Sequence, residues 1–257
     1  MTALAVENLG RRFGGLQAVA DLSFTVSEGS ITALIGPNGA GKTTTFNMVS
    51  GLIRPDTGRV TFGDRDITGL PPEKIAAAGI GRTFQNLQLF GEMTVLENVM
   101  VGMHTRLRAN ILWAGLRPGF VRNEEKQARD QAHELLARYG LSQHAEQEAR
   151  SLPFGMQRLL ELARALAFRP RLLLLDEPAA GLNSGEAMGL GRMIRKIRDG
   201  GVTVLLVEHN MRLVMEVSDQ VSVMNFGRKI FEGSPAEVQG SPAVIEAYLG
   251  KSRRHVA

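Results

Sequence analysis

The sequence predicts an α/β fold interrupted by a helical insertion, on three observations. Short β-like runs alternate with turn and helix signals in the first and last thirds of the chain. The middle, from Val95 to about Tyr139, carries helical periodicity instead. And the apolar run 31–35 leads directly into a glycine-rich loop that opens a helix. At 257 residues the chain is long enough to bury a sizeable core, as one large domain or two small lobes.

Taken in order, residues 4–9, 18–26 and 31–35 read as strands, 42–50 as a helix and 58–62 as a further strand. Pro71-Pro72-Glu73-Lys74 starts a short helix, with proline in its favoured first-turn place. In the middle, Ala128, Ala132, Leu135, Leu136 and Tyr139 fall on one helix face. Residues 112–120, with Trp113, Gly115, Pro118 and Gly119, read as a loop between helices, and another helix covers about 154–168. Then comes 171–175, a continuous apolar strand of the kind buried in a parallel sheet. Residues 186–198 follow as a helix with Leu190, Met193, Ile194 and Ile197 inward, and 203–207 as another buried strand. Strands 220–225 and 229–232 flank the Phe226-Gly227 turn, and 235–239 and 242–249 finish as short helices. There is no internal repeat, low-complexity tract or heptad run.

Apolar residues at 44% and charged residues at 22% are the balance of an ordinary soluble globular protein, so pattern must decide the class. The absence of cysteine excludes disulfides and thiolate–metal sites and suits the cytosol. The N-terminus has no apolar core before a small-residue cleavage site, so no signal peptide is expected. The longest apolar runs, such as 172–175, fall far short of the ~18–20 residues that span a bilayer. A soluble protein is expected, held at any membrane by partners. The net charge of +4 and the basic tail Lys251-Ser-Arg-Arg-His255 read as solvated surface. No basic stripe is interleaved with aromatics, so no nucleic-acid partner is expected.

The chemistry concentrates in three places. Gly36-Pro37-Asn38-Gly39-Ala40-Gly41-Lys42-Thr43 fits G-x-x-x-x-G-K-[ST], with Thr44 next on the helix. Glycines let the backbone wrap phosphate oxygens, the helix N-terminus favours an anion, Lys42 adds charge at the β/γ phosphates and Thr43 offers a hydroxyl to Mg²⁺. Asp176 and Glu177 end an apolar strand, where a parallel sheet faces its ligand crevice. Asp176 is expected to hold Mg²⁺ through water, and Glu177 to polarise the attacking water. His209 ends another buried strand and is expected to contact the γ-phosphate.

Together these residues resemble an ABC transporter ATPase over nearly the whole chain and in the right order. Besides the loop at 36–43, Gln85 sits in Arg82-Thr-Phe-Gln-Asn86, a signature segment lies at 152–157, and Ala180-Gly-Leu-Asn183 matches the loop after Asp176/Glu177. A closer likeness is to the ATP-binding subunits of branched-chain amino acid importers, the LivG family. It is carried by Phe13-Gly-Gly, Phe46-Asn-Met-Val-Ser-Gly51, Gly81-Arg-Thr-Phe-Gln-Asn86, Leu89-Phe90 and Met93-Thr-Val-Leu-Glu-Asn98. Val207-Glu-His-Asn210, Val244-Ile-Glu-Ala-Tyr-Leu-Gly250 and the insertion at about 102–120 carry it further.

The resemblance implies a P-loop ABC ATPase with a RecA-like core (about 1–90 and 170–257), an N-terminal antiparallel β part and a helical subdomain (about 91–169). It implies ATP and Mg²⁺ as cofactors, with Phe13 stacking on adenine and Lys42 neutralising the transferring phosphoryl group. Gln85 would sense Mg²⁺ and nucleotide as a further metal ligand, and Gly155 and Asn183 would close on ATP held by a partner. Residues 87–90 would edge a groove for a helix of the membrane subunit. The partners implied are a second ABC ATPase subunit, transmembrane permease subunits and, indirectly, a periplasmic binding protein. The place implied is the cytoplasmic face of the inner membrane, peripherally. The cargo implied is branched-chain or related amino acids. An ATPase of a lipid or lipopolysaccharide exporter is similar in sequence, and a non-transport ABC ATPase is the remaining alternative. Two positions depart from the family pattern. Pro153 stands where the signature usually has serine, removing a hydroxyl but leaving the backbone N–H groups near Gly155. Asn183 stands where aspartate is commoner, keeping hydrogen-bonding capacity without charge.

Overall fold

The computed structural model describes residues 1–83, 85–103 and 119–249. Phe84, residues 112–118 of the expected loop and the basic tail 251–255 lie outside them. The chain divides into two compact units, Met1–Arg82 with Arg171 onward, and Thr83–Pro170.

The first unit holds two sheets. Strands β1 (Thr2–Phe13), β2 (Leu16–Ser27), β4 (Thr57–Phe62) and β5 (Arg65–Asp66) form an antiparallel sheet in the order β2-β1-β4-β5. The second sheet has six strands, adding β3 (Ile31–Ile35), β6 (Ile80–Arg82), β7 (Leu172–Asp176), β8 (Thr203–Val207), β9 (Gln220–Asn225) and β10 (Arg228–Gly233) in the order β10-β9-β3-β8-β7-β6. All neighbours there pair in parallel except β9 with β10. Every residue of β3, β7 and β8 is buried, which explains their unbroken apolar sequence: both faces are covered.

One core joins Leu4, Val6, Leu22 and Phe24 of the antiparallel sheet to Phe46 of helix α1 (Lys42–Val49) and to Leu34 and Leu174 of the six-stranded sheet. The other face of β3 and β9 packs Ile35 and Val223 against Val214, Val238 and Val244. These come from α7 (Met211–Val217), α8 (Pro235–Gly240) and α9 (Pro242–Leu249). Helices α2 (Pro72–Ala77) and α6 (Ser184–Asp199) complete this unit. α6 buries Leu190, Ile194 and Ile197 and carries Lys196 and Arg198 in its last turn, where the helix dipole favours cations. Expected strand and helix segments recur within a few residues, while β5, β6 and α7 are additions that the sequence reading did not contain.

The second unit is helical: α3 (Val95–Gly102), α4 (Gly119–Arg138) and α5 (Phe154–Leu166) pack on one another. Gly119 and Phe120, read from sequence as loop, already belong to α4. Ala128, Ala132, Leu136 and Tyr139 are buried as the spacing requires. Residues 85–90 associate with this unit for a visible reason. The Asn98 side chain accepts from the Phe90 N–H and donates to the Phe90 carbonyl, both at 3.0 Å, and Arg158 of α5 donates to the Gln85 carbonyl at 2.9 Å. Among the described residues no helix is long and apolar enough to cross a membrane.

Candidate functional site

The glycine-rich loop lies between β3 and α1. Gly36, Gly39 and Gly41 have φ of 154°, 78° and 99°. A Cβ at Gly36 would come 2.2 Å from the Met224 carbonyl, and one at Gly41 2.5 Å from the Ala18 carbonyl, so both positions demand glycine. A Cβ at Gly39 would meet nothing within 4 Å, so the loop has open space on that side. Gly41 is the N-cap of α1 and no side chain caps the helix, which leaves its first-turn N–H groups to an anion. Lys42, only 5% exposed, curls back so that Nζ donates to the Gly36 and Pro37 carbonyls at 2.7 and 3.0 Å. Burial lowers its pKa, and the carboxylates of Glu177 and Asp176 pull it back up.

β7 delivers Asp176, buried at its C-terminal end, and Glu177 just beyond. Asp176 Oδ2 accepts from Arg82 Nη2 at 3.0 Å, and Arg82 also reaches the Ser50 hydroxyl. Arg82 ends β6, the strand beside β7, and so arrives at the same sheet edge. Burial raises the Asp176 pKa; Arg82 opposes this and Glu177 adds to it. Glu177 adopts a left-handed φ of 48°, and its N–H is anchored on the Val207 carbonyl at 2.8 Å. Its Oε1 lies 2.6 Å from His209 Nε2.

Behind this pair sits Glu208, which the sequence reading passed over. It is buried, with Oε1 accepting from the Ala179 N–H at 2.8 Å and Oε2 from the His209 and Asn210 N–H groups at 2.7 and 2.9 Å. Its signal was available: a carboxylate at the end of a buried strand must find donors.

A cavity of about 490 Å³ is lined by, among others, Phe13, the segment 38–44, Glu177 and His209. Phe13 is 43% exposed, with the Arg11 guanidinium 4.9 Å from its ring centre. Thr43 is exposed and Thr44 half-buried at the start of α1. Thr43 and Asp176 are hard oxygen donors of the kind Mg²⁺ takes, and a cation would offset the burial that raises the Asp176 pKa, so the residues present fit that ion.

Asn183, Gln85 and Gly155 are not among the residues that line this cavity. Asn183 is the N-cap of α6, in a capping box: its Oδ1 accepts from the Glu186 N–H and its own N–H donates to Glu186 Oε2, both at 3.0 Å. Gln85 and Gly155 belong to the second unit. Gly155 lies in the first turn of α5, whose N-cap is Pro153 and which no side chain caps. There Arg158 forms a buried pair with Glu161 at 3.1 Å, which the sequence reading also lacked.

The chain matches known proteins along its length. A family model described as ABC transporter matches residues 19–180, and one described as branched-chain amino acid ATP-binding cassette transporter matches residues 228–253. The chain is 45% identical over 250 residues to the high-affinity branched-chain amino acid transport ATP-binding protein LivG of Salmonella typhimurium, covering 97% of this chain and 98% of that one. To the corresponding protein BraF of Pseudomonas aeruginosa it is 46% identical over 252 residues, with 97% and 98% covered. To the lipopolysaccharide export system ATP-binding protein LptB of Haemophilus influenzae it is 36% identical over 251 residues, with 98% of both covered. Among solved structures, the ADP conformation of an ATP-binding cassette of an ABC transporter aligns with a TM-score of 0.85 and 34% identity, covering 98% of this chain and all of that one.

Proposed function

The chain belongs to the ABC transporter ATPase family, and on that premise we propose that it is the ATP-hydrolysing subunit of an importer for branched-chain or related amino acids. It works as one of two cassettes, with a second copy or a sister subunit, docked on transmembrane permeases at the cytoplasmic face of the inner membrane. A periplasmic binding protein supplies the cargo. The observation that carries the ATPase part is the convergence of Lys42, Thr43, Glu177 and His209 on one cavity. The cargo part is supported by the likeness of residues 228–253 to the branched-chain amino acid group.

In this reading the first-turn amides of α1 and Lys42 bind the β and γ phosphates, for which Lys42 exchanges its loop carbonyls. Glu177 orients and polarises the attacking water. His209, hydrogen-bonded to Glu177, is poised to meet the γ-phosphate. Thr43 and Asp176 would hold Mg²⁺, which when bound neutralises charge on the phosphates. Phe13 takes the base. Gly155 and Asn183 serve the partner's nucleotide, so that ATP binds the closed pair better than the open one and hydrolysis releases it.

The test is Glu177→Gln. We expect phosphate release to stop while ATP binding persists and an ATP-dependent dimer accumulates on size exclusion. Unaltered turnover would remove Glu177 from the reaction. Reconstitution with the permeases, followed by uptake of radiolabelled leucine, isoleucine and valine, tests the cargo.

A further inference from the structure

The hairpin between β9 and β10 carries a residue that its backbone would not select. Asn225 pairs with Arg228, so Phe226 and Gly227 form a two-residue loop, and both have positive φ, 45° and 77°. That sign pattern belongs to the type I′ turn, which prefers Asn-Gly, Asp-Gly or Gly-Gly because a bulky side chain is strained there. The ring gains no burial in return, since Phe226 is 84% exposed.

The turn is nevertheless firmly held. The Gly227 N–H donates to the Ala40 carbonyl at 3.0 Å, and the Gly227 carbonyl accepts from the Ala20 N–H at 2.8 Å. A Cβ at Gly227 would come 2.8 Å from the Ala18 carbonyl. The glycine-rich loop and β2 thus fix the position of residue 226 between them. Phe226 lines the same cavity as Phe13, Lys42, Glu177 and His209. Lys42 and the α1 amides suit the charged end of a nucleotide. A phenyl ring has nothing to offer phosphate, but it presents a face or an edge to a purine or a ribose.

We propose that Phe226 is a specificity-determining residue for the nucleoside end of the substrate, forming with Phe13 the apolar boundary against which the base of a nucleoside triphosphate rests. Strain in the turn is the cost of placing a ring there. The proposal rests on the reading of this cavity as the ATP site.

Phe226→Asn gives the turn its preferred Asn-Gly sequence, so the variant keeps a sound reason to fold. Titration calorimetry would compare ATP with inorganic tripolyphosphate on the unaltered chain and on the variant, with thermal melts as the folding control. We expect an unchanged or higher melting temperature, unchanged tripolyphosphate binding, and ATP binding weakened by about tenfold, as for the loss of one stacking ring. Equal ATP affinity in the two proteins would overturn the proposal. So would equal losses for both ligands, which would put Phe226 in the architecture of the phosphate loop. If the unaltered chain bound neither ligand, the ATP reading would fall, and this proposal with it.

Discussion

Replacing Arg158 with methionine should destabilise the helical unit by about 3–5 kcal/mol at neutral pH, the range for leaving one buried charge without its partner. Arg158 and Glu161 are 5% and 4% exposed and 3.1 Å apart. At an effective dielectric of about 20, that separation corresponds to roughly 5 kcal/mol of attraction. The change also removes the charge-assisted bond from Arg158 to the Gln85 carbonyl, a contact of the kind that contributes about 1.5–3 kcal/mol. Methionine keeps the apolar stem, so the loss reports charge rather than a cavity. Burial holds the Glu161 carboxyl above its usual range, with Arg158 pulling it back down. A raised folded-state pKa favours folding below the unfolded value and loses that contribution as pH rises through the folded value. Without Arg158 the carboxyl moves higher still, so the deficit should shrink on acidification. Urea denaturation at about pH 7 and about pH 5, with Arg158→Met/Glu161→Leu beside the single variants, measures this. The double variant should recover at least half of the loss, short of full recovery because the bond from residue 158 to the Gln85 carbonyl stays broken. Single variants within about 0.5 kcal/mol of the parent at neutral pH, or a deficit that grows on acidification, would refute the reasoning.

Lys42→Ala should weaken ATP binding by about 10- to 100-fold while the chain stays folded, read by fluorescent nucleotide titration; unchanged affinity would count against the loop as a phosphate site. Asn183→Ala should cost about 1 kcal/mol through loss of the α6 cap, a fall of about 2–4 °C in Tm. Asn183→Asp, which caps as well, should cost far less, and equal losses would show that the cap is not what matters.

What was legible in the sequence was contiguous. Residues 36–43 declare themselves because strand, glycines, lysine and helix follow one another, and Asp176 and Glu177 because they end an unbroken apolar strand. What escaped depends on pairings across the chain. Arg82 meets Asp176 only because β6 lies beside β7, and three residues are too few to show any period. Arg158 and Glu161 sit where helical spacing asks for apolar side chains, and only the fold reveals that they pair with each other. Asn183 is a different kind of miss. The pattern Asn-x-x-Glu at 183–186 is a capping box legible in the sequence itself.

Glu208 has a mechanical implication. One carboxylate receives backbone donors from the stretch that follows β7 and from the stretch that follows β8. Glu177 and His209 therefore ride on strands tied to a common post, and neither can drift without straining the tether of the other. Their mutual alignment is set by a buried side chain that binds only backbone donors in these bonds.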